Sequence, residues 1–266
     1  MIKNIKKLIK VELILMKLNL EMLIEYRLNA VLIFFGSTLY NIGAVMFITF
    51  VFNRIPNIYG WDKWDMILIY GVGQFLGYIY LFSTYSNNHS FLNLIQKGDF
   101  DSIITKPINS IIYATLRNFS FEHIFGLIQP FIIILYALTS KYYHITFAGI
   151  IFCITSSILS LIIIHLINVI TLIPTFWMQE NGFYRFYPQT TEPMNYPYEI
   201  FDSKLLKVIF FYIIPYALLV NIPFRALIGK LDIKFFFLEI LVTIIYAFIT
   251  KVFWDFGLKN YQSASS

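Results

Sequence analysis

The sequence predicts an all-α polytopic membrane protein, and three observations carry that prediction. Of its 266 residues, 58% are apolar and only 13% charged, whereas charged residues approach a quarter of an ordinary soluble domain. The apolar residues gather into six runs, each near the roughly 20 helical residues needed to cross about 30 Å of hydrocarbon. From Tyr142 to Met178 there is no Lys, Arg, Asp or Glu. The mean hydropathy of +0.69 agrees with lipid as solvent. An aromatic content of 19% excludes a disordered chain. The single cysteine, Cys153, excludes a disulfide-stapled domain and a cysteine-based metal cluster.

Residues 1–27 come first and differ from the rest. Ile2, Ile5, Ile9, Leu13, Met16, Leu20 and Leu23 draw one apolar stripe down a helix, and Lys3, Lys6, Lys7, Lys10 and Lys17 fall off it. That pattern predicts an amphipathic helix in the membrane interface, its basic face toward anionic headgroups. Glu12, Lys17, Glu21 and Glu25 interrupt any signal-peptide core.

The spans then follow at 29–52, 65–85, 121–140, 146–172, 205–224 and 235–254. Pro174 marks where the fourth stops or kinks, because proline lacks a backbone donor and clashes with the preceding turn. Pro215 and Pro223 make a broken or re-entrant helix pair the expectation around the fifth, provided its freed backbone groups are buried in protein. In "YGVGQFLG", Gly73 and Gly77 form a GxxxG pair suited to close helix packing.

Orientation follows from basic residues. With six spans and the N-terminus inside, six of the 20 Lys and Arg fall outside, namely Arg54, Lys63, Lys141, Arg225, Lys230 and Lys234; the loop 175–207 counts as inside. The bias places both termini in the cytoplasm. Trp61 with Trp64, Tyr142 with Tyr143, and Trp177 with Trp254 stand at span ends, where aromatic belts form. The net charge of +5 is thereby explained without a nucleic-acid surface.

Nucleotide chemistry is missing from the chain. The Gly229-Lys230 pair is followed by Leu231, and Phe224 stands where a phosphate-binding loop needs glycine. Uncharged polar residues inside spans, Asn41, Gln74, Gln129, His165 and Asn168, must face other helices or a cavity. Gln74, Gln129, His165, Asn168 and Glu239 are therefore candidates for a substrate pathway, with interhelical hydrogen bonding as the competing account. His165 and Asn168 share a helical face, yet no second histidine or carboxylate is near in sequence for a metal site. Glu239 is the one formal charge well inside a span; it needs either a partner or proximity to the outer interface, and Arg225 and Lys234 are the nearest cations in sequence on that side.

The most organised polar stretch, "NNHSFLNLIQKGDFDSIITKPIN", lies between the second and third spans. Phe91, Leu94 and Ile95 can share one face of a short helix, Gly98 can end it, and Asp99 or Asp101 can start the next turn before Pro107. Its apolar face can dock on the membrane surface, on its own bundle or on a cytoplasmic partner.

The run "LIQKGDFDSIITKPIN" resembles the loop after the second span in the ABC-2 type permeases of bacterial ABC transporters. The shared features are Gly98, Asp101, the pair Ile103 and Ile104, and Lys106-Pro107. "YGW" before the second span, "NYPYEIF" followed by "IPYALLVNIPFRALIG", and the C-terminal "FGLKNYQSASS" fit in the same order. The resemblance implies a permease in the bacterial cytoplasmic membrane, paired with a second permease as homodimer or heterodimer. It implies a separate ATP-binding subunit that holds the ATP and Mg, no cofactor in this chain, and an exporter's role. The coupling segment carried over is 87–110, with Phe91, Leu94, Ile95, Lys97, Gly98, Asp99 and Asp101 as ATPase-coupling residues. Residues 1–27 correspond to the family's interfacial helix and 28–266 to its six-helix transmembrane domain. The short helices before the last span correspond to Pro223 to Lys230, where this chain is compressed. An ion-gradient-driven secondary transporter would carry inverted repeats and several intramembrane charges; a membrane-embedded lipid-modifying enzyme would carry convergent acid and base groups. Neither pattern is found.

Overall fold

The computed structural model describes residues 27–107, 109–178, 181, 195–201 and 203–261. Among these the regular elements are helices; an isolated bridge between Ile58 and Trp61 closes the first loop, where Tyr59 and Gly60 take positive φ. The interfacial helix expected over 1–27 falls, but for Arg27, outside the described residues.

Helix α1 (Arg27–Phe52) runs to a loop, and α2 (Lys63–Gln96) returns. Asp62 starts α2 with a capping box, its side chain accepting from the Trp64 and Asp65 N–H groups while Asp65 accepts from the Asp62 N–H. At 34 residues α2 does not stop near 85 as expected but continues through the stretch anticipated as a separate short helix. Nothing in 86–96 breaks it: no proline or glycine interrupts the run, and Gly98 at φ +75° ends it. The Gly98 N–H meets the Ile95 carbonyl at 3.2 Å, as in a Schellman cap.

Two short helices follow, α3 (Asp101–Ile104) and α4 (Ser110–Leu116), then a 3₁₀ turn Phe121–Leu127 leading into α5 (Ile128–Ser140). Asn87 ties the connection to α2, donating to the Asn118 carbonyl at 2.8 Å and accepting from the Asn118 N–H at 3.0 Å. Helix α6 (Phe147–Leu172) passes into a 3₁₀ turn, Ile173–Phe176, at the expected Pro174.

The fifth predicted span is not one straight helix. Helix α7 (Lys204–Val208) runs through a π turn, Ile209–Ile213, and after Pro215 come α8 (Tyr216–Leu219) and α9 (Asn221–Leu227), bent by 72° from the first limb. Phe210 packs on Phe201, and Phe211 on Tyr198 and Phe235, while the other limb ends with Gly229 against the His144 carbonyl. The bent pair is thus a broken span or a re-entrant loop, its second limb ending beside the α5–α6 loop. Helix α10 (Ile233–Asn260) completes the chain. Among the described residues five stretches are long and apolar enough to cross a membrane, Leu28–Phe52, Lys63–Gln96, Phe121–Ser140, Phe147–Phe176 and Ile233–Asn260, and the bent pair makes six if it counts as one span.

The bundle has a Trp61 end and a Trp254 end. Both tryptophans are buried, at 4% and 1% exposure, so neither serves the aromatic belt expected of it; Trp177, at 44%, remains outward. One apolar cluster runs along α2, α6, α8 and α9, and a second fills the Trp254 end. Helix α1 stands apart, with only 6% of its apolar window buried. In lipid an apolar face gains little by leaving hydrocarbon, so packing and polar contacts must hold it. They do so at two points. Gln129 donates to Thr38 Oγ1 at 3.0 Å and accepts from Ser37 at 3.1 Å, and the Tyr70 hydroxyl donates to Asn41 Oδ1 at 2.8 Å.

Glycine packing differs from the expected Gly73 and Gly77 pair. Gly77 has open space where a Cβ would stand, whereas Gly73 lies against Asn195 and Val220, and Gly71 against Ile133 and Ile134 of α5.

Candidate functional site

The organised stretch after α2 docks on its own bundle. Phe91 and Phe100 are fully buried, Ile103 and Ile95 nearly so, and they close around the end of α6 and the far part of α10. Phe91 stands 5.6 Å from Phe176 and 5.8 Å from Trp254; Phe100 stands 5.1 Å from Phe176 and 5.4 Å from Tyr261. The Trp254 indole N–H donates to Ser110 Oγ at 3.0 Å, joining α10 to α4. Gly257 permits this closeness: a Cβ there would lie 2.6 Å from Phe176 Cδ2.

This arrangement sorts the seven residues to which the resemblance assigns a coupling role. Phe91 and Ile95 point inward and hold the segment, and Leu94 is half-buried against the same cluster. Lys97 and Asp99 are exposed, Gly98 supplies the turn, and Asp101 opens α3, half-buried. Ile104, one of the apolar pair in the resemblance, and Ile112, which was not singled out from sequence, are 43% and 55% exposed and lie on the outward side with Lys106. Lys106 donates to the Tyr113 hydroxyl at 2.8 Å, and that ammonium holds the Tyr113 phenol below its ordinary range despite partial burial. The result is an outward edge of mixed charge and aliphatic surface.

The intramembrane candidates do not come together. Gln129 is buried and bonded to α1, as above. His165 Nε2 lies 3.2 Å from Thr115 Oγ1 of α4. Asn168 is buried on the same helix, one turn on, its amide nitrogen without a partner among the described residues. Gln74 is half-buried in mid α2. Glu239 is fully buried and bonded to neither Arg225 nor Lys234, contrary to expectation; Ser156 Oγ lies 2.6 Å from its Oε2 and Ser160 Oγ 2.8 Å from its Oε1. Small hydroxyls on α6 at a spacing of four were the sequence signal, since that spacing puts both on one helical face.

Arg225 is held elsewhere. Its guanidinium donates from Nη2 to Glu199 at 2.6 and 2.7 Å and lies between the Tyr198 and Trp61 rings, 4.2 and 4.8 Å from their centroids. Trp61 donates to Glu199 in turn at 3.3 Å. Glu199 therefore sits at the Trp61 end, which corrects the assignment of the whole loop 175–207 to the inside. Asn181 remains at the opposite end, donating to the Thr171 carbonyl. Asn221 fixes the neighbouring backbone, accepting from the Tyr198 N–H and donating to the Tyr196 carbonyl.

A second charged clasp closes this end. Lys141 donates to Asp62 at 2.6 Å and to Asp65 at 2.7 Å, linking the start of α2 to the α5–α6 loop. Burial pushes the Asp62 carboxyl up, but the Lys141 ammonium and two backbone N–H groups outweigh it, and the carboxyl lies below its ordinary value. Burial likewise lowers Lys141, yet its two carboxylate partners raise it on balance. Burial and the Asp65 charge push the Tyr143 phenol up.

Residues 38–265 match the model of the ABC-2 family transporter proteins. Comparison with curated proteins and with solved structures returns no match.

Proposed function

Because the chain belongs to the ABC-2 family of transporter proteins and is a multi-pass membrane permease of an ABC transporter, we propose that it serves an ATP-driven exporter, with the segment after α2 receiving a separate ATP-binding subunit. On this reading the Trp254 end faces the cytoplasm, together with the start of α1 and the end of α10. ATP and Mg belong to the partner, and a second permease, the same or a paralogue, completes the pathway.

The observation that carries the reading is the mode of docking of 91–104. A segment that transmits a partner's closure must be stiff and must touch several spans. Here Phe91 and Phe100 are packed between the end of α6 and α10, while Lys97, Asp99 and Ile104 stay outward. Movement of that edge is therefore passed to three long helices. The contact residues of the proposal are Lys97, Asp99, Ile104 and Lys106, with Phe91 and Ile95 as positioning residues behind them.

The test is co-purification with candidate ABC ATP-binding subunits from the same genome, co-expressed with this chain. We expect a stable complex, and expect Lys97→Glu with Asp99→Lys to weaken it at least tenfold while leaving thermal stability of the isolated permease unchanged. A complex that forms equally well with that double variant would overturn the assignment of the contact edge, and absence of any complex would overturn the partner.

A further inference from the structure

The break between α8 and α9 leaves a backbone carbonyl to be satisfied deep in the bundle. Around it the helical pattern is regular, since the Phe224 N–H meets the Val220 carbonyl at 3.0 Å. By the same spacing the Leu219 carbonyl should accept from residue 223. Residue 223 is proline and has no N–H. Leu219 is fully buried, and an unpaired carbonyl away from water is costly.

Ser160 of α6 meets that need. Its Oγ lies 2.6 Å from the Leu219 carbonyl oxygen, a full hydrogen bond by length. The same Oγ lies 2.8 Å from Glu239 Oε1. A serine hydroxyl owns one proton and two lone pairs. With its proton on the Leu219 carbonyl, it can meet Glu239 only as an acceptor. Glu239 must then be the donor, through a carboxylic acid O–H. The other carboxyl oxygen accepts from Ser156, whose Oγ stands 2.6 Å away. Ser156, Ser160 and Glu239 all have no exposed surface.

We propose that Glu239 is a proton-binding site whose proton, relayed through Ser160, seats the bent helix pair against α6. The chain of donors runs from Glu239 to Ser160 Oγ and from Ser160 to the Leu219 carbonyl. Removing the proton would leave two acceptors facing one hydroxyl, so either the carboxylate or the Leu219 carbonyl loses its partner and the turn loosens.

The ionisable groups on the packed elements do not supply a counter-charge. Arg225 is committed to Glu199, His165 faces Thr115, and the Tyr246 hydroxyl donates to the Ile213 carbonyl. Cys153 lies on α6, Tyr212 and Tyr216 on the bent pair and Lys234 at the start of α10, and no ion pair among the described residues includes Glu239. The donor set also resembles that of a small cation site, a carboxylate with two hydroxyls and a helix-break carbonyl, but here the oxygens lie within hydrogen-bond length of one another.

The experiment is infrared spectroscopy of the full chain in lipid nanodiscs across a pH series. Exposed carboxyl groups are ionised at neutral pH, so a carboxylic acid C=O stretch that persists there reports a retained proton. We expect that band in the wild type, its loss in Glu239→Gln, and its disappearance at lower pH in Pro223→Ala, which returns a backbone donor to Leu219 and frees the Ser160 proton for a carboxylate. Glu239→Gln should keep the wild-type melting temperature, because its amide donates to Ser160 and accepts from Ser156, whereas Glu239→Ala should lower it. A wild type without the band at neutral pH, a band unmoved in Pro223→Ala, or equal melting of the Gln and Ala variants overturns the proposal. So does a rise in melting temperature when sodium replaces potassium, which would make the occupant a cation. None of these readouts needs transport or a partner, so the proposal stands or falls apart from the permease's coupling.

Discussion

The rings of Phe100 and Phe176 meet edge to face with centroids 5.1 Å apart, joining the segment after α2 to the end of α6. Phe100 has no exposed surface and also touches Phe91, Trp254 and Tyr261. We expect Phe100→Ala to cost about 3 kcal/mol through lost contacts and a cavity, read as a lower melting temperature. Phe100→Leu should recover about half of it. If the proposed coupling role holds, ATPase activity stimulated through the permease falls in the same order.

The Lys141 clasp should give the Trp61 end a window of pH stability. Asp62 binds its proton less readily in the folded chain, so its contribution is present at neutral pH and is lost as pH falls through the depressed folded value. Lys141 holds its proton more tightly when folded, so its contribution is lost as pH rises through the raised folded value. Melting temperature measured from acid to alkali should therefore fall at both extremes. Lys141→Met should flatten the alkaline limb and, by leaving the buried Asp65 carboxyl without its cation, cost about 2 kcal/mol at neutral pH.

Replacing Arg225 should separate geometry from charge. Lys keeps the charge but cannot reproduce a planar group stacked between Tyr198 and Trp61 while bonded to Glu199. We expect Arg225→Lys to lose about 1 to 2 kcal/mol and Arg225→Ala about 3 kcal/mol. Both should raise proteolytic cleavage near residues 195–201, and Glu199→Gln should do so to a smaller degree.

Gly149 tests how tightly the bent pair is seated. A Cβ there would stand 2.7 Å from the Ala226 carbonyl oxygen, a backbone atom that cannot turn aside. Gly149→Ala should therefore cost about 1 to 3 kcal/mol, as overpacking does, even though alanine favours helix. Gly77→Ala, in open space, should leave the melting temperature unchanged or raise it.

Much of this fold could be read from the sequence because lipid imposes a length rule. The uncharged run from Tyr142, the break at Pro174, the turn at Gly98 and the broken pair near Pro215 and Pro223 all follow from local chemistry. What sequence could not supply was the partner of each polar group. Arg225 and Glu239 are 14 positions apart and opposite in charge, yet the fold gives Arg225 to Glu199 and Glu239 to two serines. Hydropathy likewise could not show that residues 196–200 return to the Trp61 end, since that placement rests on Asn221, Arg225 and Trp61. Phe91 and Ile95 were legible as an apolar face, but a periodic stripe does not say what covers it.

The uninterrupted length of α2 has a mechanical consequence. At 34 residues it is a rod about 51 Å long, clasped by Lys141 at one end and carrying Gly98 just past the other. A rod that exceeds the roughly 30 Å hydrocarbon core works as a lever: a tilt of about 5° shifts its far tip about 4 Å by the same rise per residue. A modest push at the edge after Gln96 would thus arrive at Trp61 as a rotation, without any helix having to unwind.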